Sequence, residues 1–141
     1  MFRRKSLEEP EMLTQTSEIS RVVAIRMNPG DDVLQSLRAA VQEHDIKHGL
    51  ILNGVGSLDR YRVHVVGVAR LPTEDIFFDE EGPFDILSFS GAIIDGSVHP
   101  HITVSNTEKA IGGHLEEGCR VLTFVVLFVG ETPALEPAGT R

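Results

Sequence analysis

Only one stretch of this chain repeats its apolar residues with helical spacing, and nearly everything after it alternates or runs apolar as strands do. Val33, Leu34, Leu37, Ala40 and Val41 recur at i, i+1, i+4, i+7 and i+8, which draws a single stripe on a helix of three to four turns. Asp31 or Asp32 offers the N-cap, and Gly49 is the expected stop, since glycine enters the left-handed region cheaply. Ahead of the helix, Arg21 to Met27 is rich in β-branched residues and predicts a strand, ended by Asn28-Pro29-Gly30.

After Gly49 the pattern is β. Leu50 to Leu52 leads into Gly54-Val55-Gly56-Ser57, and Tyr61 to Ala69 alternates. Phe84 to Ile94 follows with a kink expected at Gly91, then His101 to Val104, then the apolar run Val121 to Val129. Leu71 to Gly82, with Pro72 and its acids, predicts a loop. One helix followed by about six strands defines an α+β fold, the helix covering one face of a mostly antiparallel sheet. Residues 1–18 are expected to form a flexible arm, 19–130 the domain, and 131–141 a flexible tail with two prolines. A chain of 141 residues is of a size for one such domain.

Charge restricts the partners. Thirteen Lys and Arg stand against twenty-one Asp and Glu, for a net charge of -8. Nucleic-acid affinity comes largely from cations placed on phosphates, so a broad DNA interface is disfavoured; Arg3-Arg4-Lys5 is the one basic run. The greasiest segment, Val121 to Val129, is too short to span a bilayer, and no apolar leader follows Met1. One cysteine, Cys119, permits no internal disulfide, which fits a cytoplasmic setting. Acids next to Cys119 argue against an activated thiol.

The histidines carry the chemistry. His99 and His101 flank Pro100 at a strand start, so both point to one face about 7 Å apart. His114 follows in Gly112-Gly113-His114-Leu115, where a hairpin can bring it alongside. Three neutral imidazoles with an open fourth position are a known zinc arrangement, and imidazole also suits iron and nickel. Asp85, Asp95, Glu108 and Glu116 are the candidate carboxylates for a general base. His44 and His48, four apart, are read as a solvated helix end with His48 favoured by the helix dipole. His64 is read as an ordinary sheet residue. Gly54-Val55-Gly56 lacks the Lys-Ser/Thr of a phosphate loop and points to a bulge or tight packing. Ser88 and Ser90 lack a nucleophile elbow.

Five ordered motifs resemble one family. Gly82-Pro83-Phe84-Asp85-Ile86-Leu87-Ser88-Phe89-Ser90-Gly91 is similar to the signature of the plants-and-prokaryotes conserved domain. Pro29-Gly30-Asp31-Asp32, Gly54-Val55-Gly56-Ser57, His99-Pro100-His101 and Gly112-Gly113-His114-Leu115 match in order and type, from about Arg21 to Gly130. The resemblance implies an antiparallel sheet packed with a helix, a homotrimer, and a divalent metal on His99, His101 and His114, zinc before iron or nickel. It implies a protein partner or a small-molecule ligand as the working contact. The DNA-associated label of the family rests on the AT-hook of its plant members, and this sequence contains no such Arg-Gly-Arg-Pro element. A metal-dependent enzyme acting between subunits is the third implied role. One departure stands out: members carry a glutamate near Val126, where this chain has only apolar neighbours.

Overall fold

The structure is a computed structural model, and it describes residues 11–136. The basic run Arg3-Arg4-Lys5 and the outer parts of the expected arm and tail lie outside the described residues. The inner parts meet: Gln15 Oε1 accepts from Glu136 N at 2.7 Å, and Ser17 Oγ from Ala134 N at 3.3 Å.

Six strands and one helix follow in the order β1 (Arg21–Met27), α1 (Val33–Glu43), β2 (His48–Val66), β3 (Asp75–Ile94), β4 (Ser97–Ser105), β5 (Ala110–Leu115) and β6 (Arg120–Glu131). All pair antiparallel, with spatial order β1-β6-β2-β3-β4-β5. β5 also pairs with β2 at Val63 and His64, so β2, β3, β4 and β5 close on themselves. The sheet is thus an open three-stranded wing, β1-β6-β2, continuous with a small barrel.

The helix begins where expected. Asp32 caps it, one carboxylate oxygen accepting from Gln35 N at 3.0 Å and the other from Gly118 N at 2.7 Å. That side chain satisfies an orphan helix donor and ties the β5–β6 turn down. Val33, Leu34, Leu37 and Val41 are buried against the sheet, where Met27, Leu58, Tyr61, Phe84, Ile102 and Leu127 continue the core.

The helix end differs from expectation. Glu43 is its last residue, His44 caps it, and Asp45 takes the left-handed turn at φ 50°. Asp can occupy that region because its short polar side chain bonds locally. Gly49 is instead inside β2, where a Cβ would stand 2.7 Å from Gly130 O; it admits β6, not a helix stop. His48 therefore starts a strand and does not sit on the helix dipole.

Two further boundaries move. The acidic stretch from Leu71 to Gly82 is strand from Asp75 onward, where Asp79 and Glu80 meet basic or hydroxyl partners. Arg60 grips Asp79 with Nε at 2.9 Å and Nη2 at 2.7 Å, Lys109 pairs with Glu80, and Tyr61 Oη donates to Glu80 at 3.2 Å. Cross-strand opposite charges offset the poor strand preference of Asp and Glu. At the other side of this hairpin β2 stops at Val66, so Gly67 and Ala69 fall in the connection. Gly54 and Gly56 sit among register shifts of β2 on β6, as their packing reading requires.

Gly91 does kink β3. Its φ is 143°, and a Cβ there would meet His99 O at 2.2 Å. Only glycine allows β4 this close, and β4 carries His99 and His101.

Candidate functional site

Register places the histidines. His64 on β2 is directly opposite His114 on β5, and His114 is directly opposite His101 on β4. Directly paired side chains share a face, so the three form one row across three strands. His99, two residues along β4, lies on the same face. The closure that makes this row needs Gly113, where a Cβ would stand 2.5 Å from His64 O. The neighbours Val63, Ile102 and Leu115 turn the other way, into the core.

Ring packing is tight. His64 and His114 stack with centroids 4.5 Å apart, His99 and His114 meet edge-on at 4.8 Å, His99 and His101 lie 5.2 Å apart, and His101 and His114 5.7 Å apart. His99 and His101 are exposed, while His64 and His114 are half-buried. Burial and the neighbouring imidazoles hold His114 and His101 below the usual histidine range, against a smaller upward pull on His114 from Glu116. Both therefore favour the neutral form, which is the form that binds metal.

Glu116 sits at the end of the row. Its Oε1 lies 2.5 Å from His64 Nδ1 and 3.8 Å from His114 Nδ1, while Asp75 Oδ2 is 3.7 Å from His64 Nε2. His114 Nδ1 is buried with no hydrogen-bond partner, and a buried polar nitrogen without one calls for an explanation. Among the described residues, His64, His114 and Glu116 are the set whose ligand atoms all lie within 4.8 Å of one another. This set shares His114 with the three-histidine set read from sequence and substitutes His64 and Glu116 for His99 and His101.

Of the four carboxylates, Glu116 is the one in contact with the row of His64 and His114. Asp85 and Glu108 line a separate cleft of about 620 Å³ with Ser57 and Thr123, and Asp95 is in the β3–β4 turn. His44 and His48 are outside the cluster. His64 is a member of it, contrary to its reading as an ordinary sheet residue. The reason is long-range: pairing of β2 with β5 cannot be seen in local spacing. Val126 pairs with Arg26 and Val55, far along β2 from His64. A carboxylate there would not touch this row within one chain, so its absence does not empty the site of acids.

Cys119 is fully buried, its Sγ donating to Arg62 O at 3.3 Å, and burial pushes the thiol up to about 12. It is a packing residue. No helix among the described residues is long and apolar enough to cross a membrane.

A small antiparallel barrel with an open wing, one covering helix and a histidine–carboxylate row defines the class. The chain belongs to the plants-and-prokaryotes conserved family, whose domain, described as Plants and Prokaryotes Conserved (PCC), matches residues 14–133. Among solved structures it is similar to a hypothetical protein from Salmonella cholerae-suis, with 30% identity, TM-score 0.74, and 85% and 83% of the two chains covered. It is also similar in fold to AF0104 from Archaeoglobus fulgidus, described as a metal-containing protein, with 19% identity, TM-score 0.76, and 89% of each chain covered. A curated relative is the bifunctional protein GlmU of Synechococcus sp. (strain JA-3-3Ab), 29% identical over 113 residues. That match takes in 79% of this chain and 17% of the relative, so the chain spans less than a fifth of that relative's length.

Proposed function

We propose that this protein is a trimeric binding module that holds a divalent metal on His99, His101 and His114. The observation that carries the reading is the packing of these three rings from two adjacent strands, with His114 Nδ1 left unpartnered beneath them. Neutral imidazoles on a half-exposed face suit zinc, and iron or nickel next. The metal-containing description of the Archaeoglobus relative supports the same reading. Three ligands leave a coordination position for a small ligand or a partner side chain.

Trimerisation is supported by the wing. Val22, Leu50, Val55, Leu122 and Phe124 lie exposed on β1, β2 and β6, on the face opposite the helix. A contiguous apolar surface of this kind marks an interaction site, and a second and third copy of the chain cover it. Net charge -8 keeps DNA a poor partner for the module.

A second reading, a metal-dependent enzyme acting on a small molecule, is favoured by Glu116 alone. A carboxylate this close to a metal position supplies the base that activated-water chemistry needs.

Metal content of untagged protein tests the first reading, beside His99→Ala/His101→Ala, with light scattering for mass. Wild type should retain about one ion per chain after dialysis, and the variant should be depleted. Wild type that takes up no zinc, iron or nickel on reconstitution sinks the metal reading. A monomer in light scattering sinks the trimer.

A further inference from the structure

We propose that His64, His114 and Glu116 form a second divalent-cation position, overlapping the three-histidine one and sharing His114, so that one ion can occupy either. The inference rests on the metal reading above for His114 alone.

Four observations carry it. First, the three side chains already present ligand atoms within 4.8 Å of one another: His64 and His114 are cross-strand partners, and Glu116 stands just past β5, two residues along from His114. Second, His114 Nδ1, the atom facing Glu116 Oε1 at 3.8 Å, has no other partner. Third, His64 Nδ1 and Glu116 Oε1 are in hydrogen-bond contact at 2.5 Å. An ion can sit between these two atoms if the pair opens to about 3.3 Å, the ligand separation for bonds of roughly 2.0–2.1 Å at tetrahedral angles. Fourth, the far nitrogen of His64, Nε2, faces Asp75 Oδ2 at 3.7 Å. A ligating histidine whose other nitrogen is turned to a carboxylate is the usual outer arrangement at metal sites. Phe77 packs on the same ring at 5.4 Å, which limits how far it can swing.

The two positions differ in chemistry. Three imidazoles contribute no charge, whereas two imidazoles and a carboxylate bring one negative charge to the ion. The second set matches the two-His, one-carboxylate combination that suits Fe(II) with positions left open, and it also suits Zn(II).

The test is a titration of metal-free, full-length protein with Zn(II), repeated with Co(II) so that visible absorption reports the ligands. His99 and His101 are exposed, so His99→Ala/His101→Ala removes no core contact. At saturating Zn(II) this variant should still take up one ion per chain, with Kd raised roughly ten- to a hundredfold. Adding His64→Ala and Glu116→Gln should abolish uptake, and the Co(II) spectrum of the first variant should differ from that of wild type. Far-UV circular dichroism confirms the fold in each variant. A folded His99→Ala/His101→Ala protein that binds no Zn(II) overturns the second position while leaving the three-histidine reading standing. Residual binding after His64→Ala and Glu116→Gln are added overturns it as well. Wild type that binds nothing removes both.

Discussion

The two outward-facing regions of this sheet obey the same alternation and end in opposite states. On the wing, outward residues such as Val22, Val55 and Phe124 are apolar and exposed. On the barrel, the outward row His101–His114–His64 is polar and partly covered. Curvature is the difference. Where β2 to β5 close on themselves, Glu116 and Phe77 pack against the row, yet His114 Nδ1 stays buried without a partner. Where β1, β6 and β2 stay open, the outward apolar residues remain exposed. The barrel row lacks a polar partner, and the wing lacks an apolar one.

The largest expected effect breaks the wing. Phe124 stands on β6 with Arg26 over its ring at 5.4 Å. Phe124→Lys puts a second cation beside Arg26 into the surface proposed to meet other copies, where an unpaired buried charge is strongly destabilising. Light scattering should fall from a trimer mass to that of a single chain, with the circular dichroism spectrum unchanged. Zinc uptake should persist, because the histidine row lies within one chain. Loss of zinc together with the trimer would mean that the barrel site also depends on other subunits.

The second prediction breaks the barrel. Gly113→Val places a side chain against His64 O, which a Cβ would already approach to 2.5 Å, and against Val65 Cγ1 at 3.0 Å. Backbone cannot yield as a flexible side-chain tip can, so overpacking here should cost about 3 kcal/mol, read as a lower urea midpoint. Ala110→Val at the exposed start of β5 is the control and should change stability by less than about 0.5 kcal/mol. If Gly113→Val keeps both stability and zinc uptake, the closure of β5 on β2 is not what assembles the row.

How much of this was legible in the sequence follows the range of the interactions. The stripe from Val33 to Val41, the Asp32 cap and the run Val121 to Val129 are written in local spacing, and all three occur in the structure. His99 and His101 are also local, being alternate residues of one strand. His64 is not: it joins His114 and Glu116, themselves only two residues apart, because β5 crosses to pair with β2, a contact between segments far apart in the chain. The acidic stretch read as a loop fails for a similar reason. Its strand character depends on Arg60 and Tyr61 of β2 and on Lys109 in the β4–β5 turn. The helix stop was misplaced because Asp45, not a glycine, takes the left-handed turn.

The smallest expected effect sharpens the contrast through pH. His101 and His114 have folded-state pKa values lowered first by burial and then by the neighbouring imidazoles His64 and His99, so the unfolded chain binds protons that the folded chain does not. Stability then rises with pH wherever the unfolded state holds more protons. The contribution is complete above the unfolded histidine value of about 6.5 and is lost as pH falls toward the depressed folded values. Metal-free protein should therefore melt at lower temperature at pH 5.5 than at pH 7.5. His114→Asn should flatten that slope, because it removes one of the two lowered groups. Zinc should steepen the pH dependence further, since it binds the neutral imidazoles and competes with the same protons. An unchanged slope in His114→Asn would show that carboxylates elsewhere, not the crowded histidine row, set the acid limit of this fold.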